Sequence, residues 1–290
     1  AQTSANSLTL LSVPLLVAVA LALTPLFVKL LGRHAGWPIV AFFLASVVQL
    51  SRVTGDILDG TTFTWSRVWS PELNAAFALK LNPLSMVFSF LALLVGSIVF
   101  IYSTAYLPPK KSAMSFYVLM TAFMLAVLLL VLADDIMLLF IGWELVSMAS
   151  FLLIARSGSS GELGSLRTLL LTFTGGLLLL AALGGAVWLT GSTNLTEVLA
   201  SPEWEANPAA RSLIAALVAL GAFTKAAQFP FHAWLPEAMA AATPVSAFLH
   251  AAAVVKAGVY LLMRFSTVFA DVRVWQLLLI VMGTVSYTHL

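Results

Sequence analysis

Apolar segments about as long as a bilayer is thick repeat along this chain and leave it few possible folds. A membrane-crossing helix needs about 20 predominantly apolar residues. Scanning at that length predicts helices at 8–31, 37–53, 81–103, 113–133, 135–155, 164–190, 209–229 and 242–264, with a partial one from 272. Lipid offers no hydrogen-bond partner to the backbone, so each segment should be helical. The chain is therefore predicted to be an all-α, polytopic transmembrane helical bundle.

Composition supports this class and excludes several others. Of the 290 residues, 61% are hydrophobic and 9% are charged, whereas soluble domains carry about 25% charged residues. The net charge of +2 is too small to indicate nucleic-acid binding. The chain contains no cysteine, which excludes disulfides, thiolate nucleophiles and iron–sulfur ligation by its own residues. No cofactor and no metal site is predicted.

Two segments outside the regular helices carry their own signals. The stretch 54–80 should lie outside the membrane, and the run from Thr61 to Trp65 has the composition of a strand, which predicts a small surface hairpin. At the other end, the ninth segment is apolar only from Val274 to Val285, which is too short to span. We expect this last helix to be truncated.

The distribution of basic residues predicts the orientation in the membrane. Lysines and arginines follow the first, third and fifth segments, at Lys29, Arg33, Lys110, Lys111, Arg156 and Arg167. The opposite side receives mainly the acidic residues Asp134, Glu197, Glu203 and Glu205. Because short cytoplasmic loops are enriched in Lys and Arg, the N-terminus is predicted to face away from the cytoplasm in a plasma (inner) membrane.

Three ionisable side chains, Glu144, Lys225 and Lys256, lie inside otherwise apolar segments, and His250 precedes the last by six residues. A charge at the middle of a membrane helix costs at least ~2.5–3.5 kcal/mol, so each needs a partner, water or a function. Glu144 lies about 14 Å into its segment, close to the midplane, and requires a cation from another helix. A buried ion pair that only fixes helix register remains the alternative.

The spacing of these groups suits stepwise proton transfer. His250 and Lys256 are separated by about 9 Å of rise and about 240° of turn, so they should face successive cavities and exchange protons through water. A nearby carboxylate stabilises a protonated lysine, and its withdrawal in an apolar site favours release of that proton. Small residues beside Lys225, at Gly221 and Ala222, should allow a partner helix to approach closely.

Several neighbouring residues are secondary candidates. Pro230 and Pro236 are predicted to break the seventh helix just after Lys225. Asp134 and Asp135 should cap the fifth helix, with a role in cation access as the alternative. His232 is interpreted as a membrane-interface residue, or as a link to water. Arg264 is expected to extend its guanidinium to the interface.

Two blocks of sequence resemble a known family. Residues 134–145 with 150–154 resemble the fifth-helix motif of antiporter-like subunits in respiratory complex I, membrane-bound hydrogenases and Mrp-type cation/proton antiporters. Residues 223–239 and 243–251 resemble the broken seventh helix and the eighth helix of the same family. By this resemblance, Glu144 pairs with Lys225, and His250 and Lys256 continue the proton relay.

The resemblance also implies a domain organisation. Known members contain two inverted five-helix repeats. Residues 1–110 would form three N-terminal helices with the external loop 54–80, residues 111–265 the first repeat, and residues 266–290 the truncated start of the second.

Within the family, the run 228–232 and the lysine at Lys256 are more similar to the large subunit of Mrp-type antiporters, whereas Asn82 departs from a common acidic residue. The implied function is exchange of a monovalent cation, most simply Na⁺, for H⁺, with other membrane subunits as partners and no enzymatic activity of its own. One alternative is a proton-pumping subunit of complex I or a hydrogenase, which would belong to a redox-driven enzyme. The other is a structural scaffold subunit.

Overall fold

The computed structural model describes residues 2–73, 75–107, 113–155, 159–225 and 254–289. Predictions made for Pro230, His232, Pro236 and His250 lie outside these ranges.

The described residues are mainly helical, as the apolar segments predict. The helices are α1 Gln2–Leu31, α2 Gly36–Arg52, α3 Thr54–Leu58, α4 Pro83–Tyr106, α5 Ala113–Leu132, α6 Ile136–Ala155, α7 Ser159–Thr190, α8 Leu195–Ala200, α9 Glu203–Ala206, α10 Pro208–Lys225, α11 Val254–Phe269 and α12 Arg273–His289. Within these residues, six helical segments are long and apolar enough to cross a membrane, and the first of them, Ser7–Arg52, contains both α1 and α2. The prediction of a polytopic helical bundle is confirmed.

A tight turn separates the first two helices. A 3₁₀ turn at Gly32–Ala35 follows α1, and Gly32 adopts a φ of 60°. This left-handed conformation is readily available only to glycine, and it lets α2 fold back against α1. On the same side of the bundle, the Tyr117 hydroxyl donates to the Arg33 carbonyl, and Arg33 donates to the Leu107 carbonyl.

The loop between α3 and α4 contains the predicted hairpin. Strands β1 (Phe63–Ser70) and β2 (Ala75–Leu81) pair antiparallel, with Phe63 opposite Leu81. The hairpin is attached to the bundle where α5 meets α6, because the Asp134 N–H donates to the Ala78 carbonyl over 2.9 Å. We call this end of the bundle the hairpin side.

Side-chain caps start two helices on the hairpin side. Asn82 caps α4 by accepting a hydrogen bond from the Ser85 N–H at 2.9 Å, and Pro83 occupies the first turn. Asp135 caps α6, since its Oδ1 accepts from the N–H groups of Met137 and Leu138 at 2.9 and 3.1 Å. The capping prediction is confirmed for Asp135. Burial raises the pKa of Asp135, although these backbone hydrogen bonds oppose that effect.

Close packing of α7 against α10 brings two apolar segments together through glycine. A Cβ placed on Gly221 would lie 3.1 Å from the Gly175 carbonyl oxygen and 3.5 Å from Leu179. The absence of a side chain therefore allows the two backbones to approach. This confirms the expectation that the small residues preceding Lys225 form a helix–helix contact.

The ninth predicted segment is longer than its apolar run. Helix α12 continues through Ser286, Tyr287 and Thr288 to His289, although these residues follow the apolar stretch. Polar residues can extend a helix whose backbone hydrogen bonds are already established, because adding a residue costs much less than nucleation.

Candidate functional site

Lys225 is completely buried at the end of α10. Its Nζ donates a hydrogen bond to Ser147 Oγ on α6. The same amine lies 4.5 Å from the centroid of the Trp143 ring, within the range of a cation–π interaction. A lysine charge buried among spanning helices is thus stabilised by one hydroxyl and one aromatic face.

The two residues that contact Lys225 occupy one face of α6. Trp143 and Ser147 are four residues apart, which places them one above the other on a helix. The Ser147 hydroxyl donates to the Trp143 carbonyl at 3.2 Å while it accepts from Lys225. Neither Trp143 nor Ser147 is among the site residues predicted from the sequence. Their i, i+4 spacing indicates only that they share a helix face and does not show that a cation lies there.

Glu144 follows Trp143 on α6 and lies within electrostatic reach of Lys225. Its side chain is half-buried, and Oε1 is buried without a hydrogen-bond partner among the described residues. Lys225 is the charged group that acts on it electrostatically. The structure therefore brings Glu144 and Lys225 into one site, while the described residues in direct contact with the amine are Ser147 and Trp143.

Glycines on α7 make room for this site. A Cβ on Gly176 would overlap the Glu144 carboxylate, and a Cβ on Gly175 would overlap the Thr224 side chain. Gly175 thus makes room for a packing contact with α10, and Gly176 makes room for the Glu144 carboxylate.

Lys256 lies near the beginning of α11 and is half-buried. Helix α11 packs against α10, the helix that carries Lys225. The other predicted relay group, His250, and the accessory residue His232 fall outside the described residues. Among the described residues, no group of three or more His, Cys, Asp or Glu is placed to hold a metal ion.

A second cluster of buried charges lies on the hairpin side. Asp134 Oδ1 accepts from Thr196 Oγ1 at 2.6 Å and from Arg264 Nη2 at 3.3 Å, and Asn194 Nδ2 lies 3.4 Å from Oδ2. Lys80 Nζ donates to the same Thr196 hydroxyl at 3.0 Å. We call Lys80, Asp134, Thr196 and Arg264 the hairpin-side network.

This network corrects two predictions. Asp134 is not a helix cap, because its carboxylate is turned toward α8 and α11 and is used by side chains. Arg264 does not extend to the interface: it is 5% exposed and pairs with Asp134. A fixed carboxylate within reach stabilises a buried guanidinium better than a long extension toward water.

Comparison with known proteins identifies the family to which this fold and site belong. The family described as NADH:quinone oxidoreductase/Mrp antiporter, transmembrane, matches residues 133–288, which is more than half of the chain. The family described as the N-terminus of chain 5 of complex I matches residues 65–117. The chain therefore belongs to the NADH:quinone oxidoreductase/Mrp antiporter transmembrane family, as its motifs predict.

Individual relatives agree with this assignment. The antiporter subunit mnhA2 of Staphylococcus aureus strain MRSA252 is 39% identical over 264 residues, covering 90% of this chain and 33% of the relative. A chain of the Mrp complex from Dietzia sp. DQ12-45-1b is 45% identical with a TM-score of 0.87, covering 94% of this chain and 30% of that one. This sequence thus spans about a third of the curated relative.

The same fold occurs in a more distant complex. A chain of the membrane-bound sulfane sulfur reductase, an archaeal respiratory membrane complex, superposes with a TM-score of 0.83 at 21% identity, covering 96% of this chain and 57% of that one. At this identity the similarity concerns the fold alone.

Proposed function

We propose that this chain is part of an antiporter subunit that exchanges a monovalent cation, most simply Na⁺, for H⁺ through a site centred on Glu144 and Lys225. The observation that carries the proposal is the completely buried Lys225 amine, held by Ser147 and Trp143 and acting on Glu144 between spanning helices. Ionisable groups at such positions usually mark ion or proton pathways. Membership of the family and the similarity to an Mrp complex chain support it.

The geometry suits a proton switch. The ammonium of Lys225 is stabilised by the Ser147 oxygen, the Trp143 ring and the Glu144 charge. When a cation approaches Glu144 and neutralises its effect, the desolvated ammonium becomes an amine and releases one proton. When the cation leaves, Lys225 takes up a proton again. We propose that Lys256 and His250 pass protons onward. Pro230 and Pro236 would break the seventh helix, and His232 and Asp135 would be accessory residues for access to the site.

The wider assignment follows from the same family. We propose that residues 111–265 form the first antiporter-like repeat, preceded by residues 1–110 and followed by the start of a second repeat at 266–290. Lys29 and Arg33 lie on the side opposite the hairpin. Because the positive-inside rule favours it, we propose that this side faces the cytoplasm and that the membrane is the plasma membrane. The partners proposed are other membrane subunits of a multisubunit antiporter complex.

The decisive experiment replaces Lys225→Ala in the full polypeptide within its complex. Everted membrane vesicles are energised, and the pH change caused by added Na⁺ is followed with a fluorescent dye. We expect cation/proton exchange to be lost while the complex still assembles. The control is Lys29→Ala, which replaces an exposed lysine at the end of α1 and should leave exchange unchanged. Normal exchange in an assembled Lys225→Ala complex would contradict the proposal and favour a scaffold role.

A proton-pumping subunit of a redox-driven enzyme is the second candidate, favoured by the complex I family that matches residues 65–117. The subunits that co-purify with the intact complex separate the two. Small membrane subunits without redox centres favour the antiporter. Flavin, iron–sulfur or nickel-containing subunits, together with proton pumping that follows electron transfer rather than added Na⁺, favour the redox-driven enzyme.

A further inference from the structure

A cavity of about 550 Å³ opens on the hairpin side between the start of α4, helix α8 and the end of α11. It lies apart from the Glu144–Lys225 site. Its polar wall contains Lys80, Thr196 and Arg264, and its apolar wall contains Leu84, Leu199 and Met263. The cavity therefore combines a cationic end with an aliphatic surface.

The cationic wall retains unused hydrogen-bonding capacity. Lys80 Nζ donates to Thr196, which leaves two of its three ammonium hydrogens free of that bond. Arg264 donates to Asp134 through Nη2, but its Nη1 is buried without a partner among the described residues. Burial lowers the pKa of Lys80, Asp134 opposes this effect, and Arg264 adds to it. An anion beside Lys80 would take up these free hydrogens and would be attracted by the positive charge of Arg264.

This cavity differs from its neighbour in the charge of the residues that line it. A second cavity of about 310 Å³ shares Lys80 and Thr196 but is lined by the carboxylates of Asp134 and Glu197. Among the described residues that line the larger cavity, Lys80 and Arg264 are the charged ones, and both are cations. Only the larger cavity is complementary to a negative group.

The position of the larger cavity indicates where its ligand comes from. Leu84 belongs to the first turn of the spanning helix α4, and Arg264 and Met263 lie in the second half of α11, so the cavity is level with the end of α4. Lipid headgroups occupy this level in a bilayer. Met263 is 47% exposed, which leaves an aliphatic surface open beside the cations.

We propose that this cavity binds an anionic phospholipid, with the phosphate between Lys80 and Arg264 and an acyl chain along Leu84, Leu199 and Met263. Lysine and arginine side chains near a membrane surface attract anionic headgroups. The guanidinium of Arg264 adds a second positive charge to the wall that would face the phosphate. Because Arg264 also holds Asp134, the bound lipid would brace the hairpin-side network.

The test uses phosphatidylglycerol that carries a photoactivatable group in its acyl chain. The full polypeptide in its complex is reconstituted in phosphatidylcholine nanodiscs with a small fraction of this probe, illuminated and digested. Mass spectrometry should place cross-links on peptides containing Leu84, Leu199 or Met263. Unlabelled phosphatidylglycerol should compete, and phosphatidylcholine should not.

Two variants test the two walls of the cavity. In Lys80→Gln, the concentration of unlabelled phosphatidylglycerol that halves cross-linking should rise about five-fold, as expected for the loss of one basic residue near an anionic lipid. Arg67→Gln, which removes an exposed charge from the same hairpin, should leave it unchanged. Met263→Trp narrows the open wall without changing the network, and it should reduce cross-linking. This second variant keeps the test informative if Lys80→Gln fails to fold.

Four results would overturn the proposal. Equal competition by phosphatidylcholine would show a non-selective lipid contact. Competition by millimolar inorganic phosphate would show a site for a free anion. Cross-links from these residues to another subunit, in place of lipid, would show that a protein covers the cavity. Unchanged cross-linking in both Lys80→Gln and Met263→Trp would place the lipid elsewhere.

Discussion

Two groups of buried charges in this chain differ in how completely they are paired. In the hairpin-side network, the Asp134 carboxylate receives hydrogen bonds from Thr196 and Arg264. In the central site, Lys225 has one hydroxyl partner and Glu144 Oε1 has none among the described residues. Asp134 is thus held by several side chains, whereas the atoms without a partner among the described residues are Glu144 Oε1 in the central site and Arg264 Nη1 in the hairpin-side network.

The difference indicates different roles. A buried charge with fixed partners specifies one arrangement of the elements around it, and removing one partner leaves an uncompensated charge. A buried charge with few partners is costly, and in membrane helices it usually marks a pathway. We therefore interpret the hairpin-side network as structural and the central site as the place where protonation changes.

The largest expected effect is on the stability of the hairpin side. Replacing Arg264→Met leaves the Asp134 carboxylate buried without its cation and should lower stability by about 3–5 kcal/mol. Thermal unfolding of the purified complex and limited proteolysis of the hairpin would measure this. The double variant Asp134→Asn with Arg264→Met should recover part of the loss. A double variant no more stable than Arg264→Met would argue against an important ion pair.

Glu144→Gln should affect transport and leave assembly unchanged. The amide keeps the shape of the side chain but cannot supply the negative charge that acts on Lys225. We expect exchange to fall about 100-fold, within the range for loss of a proton-transfer group. Initial rates in everted vesicles measure this, with Glu203→Gln, an exposed carboxylate on α9, as the control. Retention of more than half the activity would remove Glu144 from the mechanism.

Gly176→Ala should disturb the central site without changing a charge. The new methyl group would overlap the Glu144 carboxylate and displace it. We expect the free energy of unfolding to fall by about 1–3 kcal/mol, as at other overpacked sites, and the exchange to be slower. Gly184→Ala is the matched control on the same helix, because nothing lies within 4 Å of a Cβ there. Equal effects of both variants would point to helix propensity or flexibility instead.

The smallest effect is expected from Ser147→Ala. Loss of the hydroxyl removes the direct hydrogen bond to Lys225 and should cost about 1 kcal/mol, or about five-fold in exchange rate. The dependence of exchange on pH should shift as well, since the hydroxyl stabilises the ammonium form. Ser150→Ala serves as control, because among the described residues that hydroxyl donates to the Val146 carbonyl of its own helix. An unshifted pH profile in Ser147→Ala would show that Ser147 only fills space.

Much of the fold could be predicted because lipid imposes strong local rules. Apolar length predicted the spanning helices, and strand-like composition predicted the hairpin that now spans Phe63 to Leu81. The assignments of Asp134 and Arg264 failed for a common reason. The local sequence around an aspartate or an arginine does not reveal whether the two form an ion pair. Asp134 and Arg264 do so although they are 130 residues apart.

The candidate site was predicted in part. A charge in an apolar helix is visible in sequence, so Glu144, Lys225 and Lys256 could be selected without a structure. Trp143 could not, because a tryptophan in a membrane segment is ordinary until a cation is found 4.5 Å from its ring. The contribution of Gly176 was also hidden, since a glycine indicates space but not the group that fills it.

By itself, the sequence determined that this chain must form membrane helices and that a few of them carry charges. These properties depend on hydropathy and on the cost of burying charge, which act on each segment separately. Only the tertiary structure decided which charges are paired and which are left with few partners. Pairing depends on distances between side chains of different helices, and packing alone sets those distances.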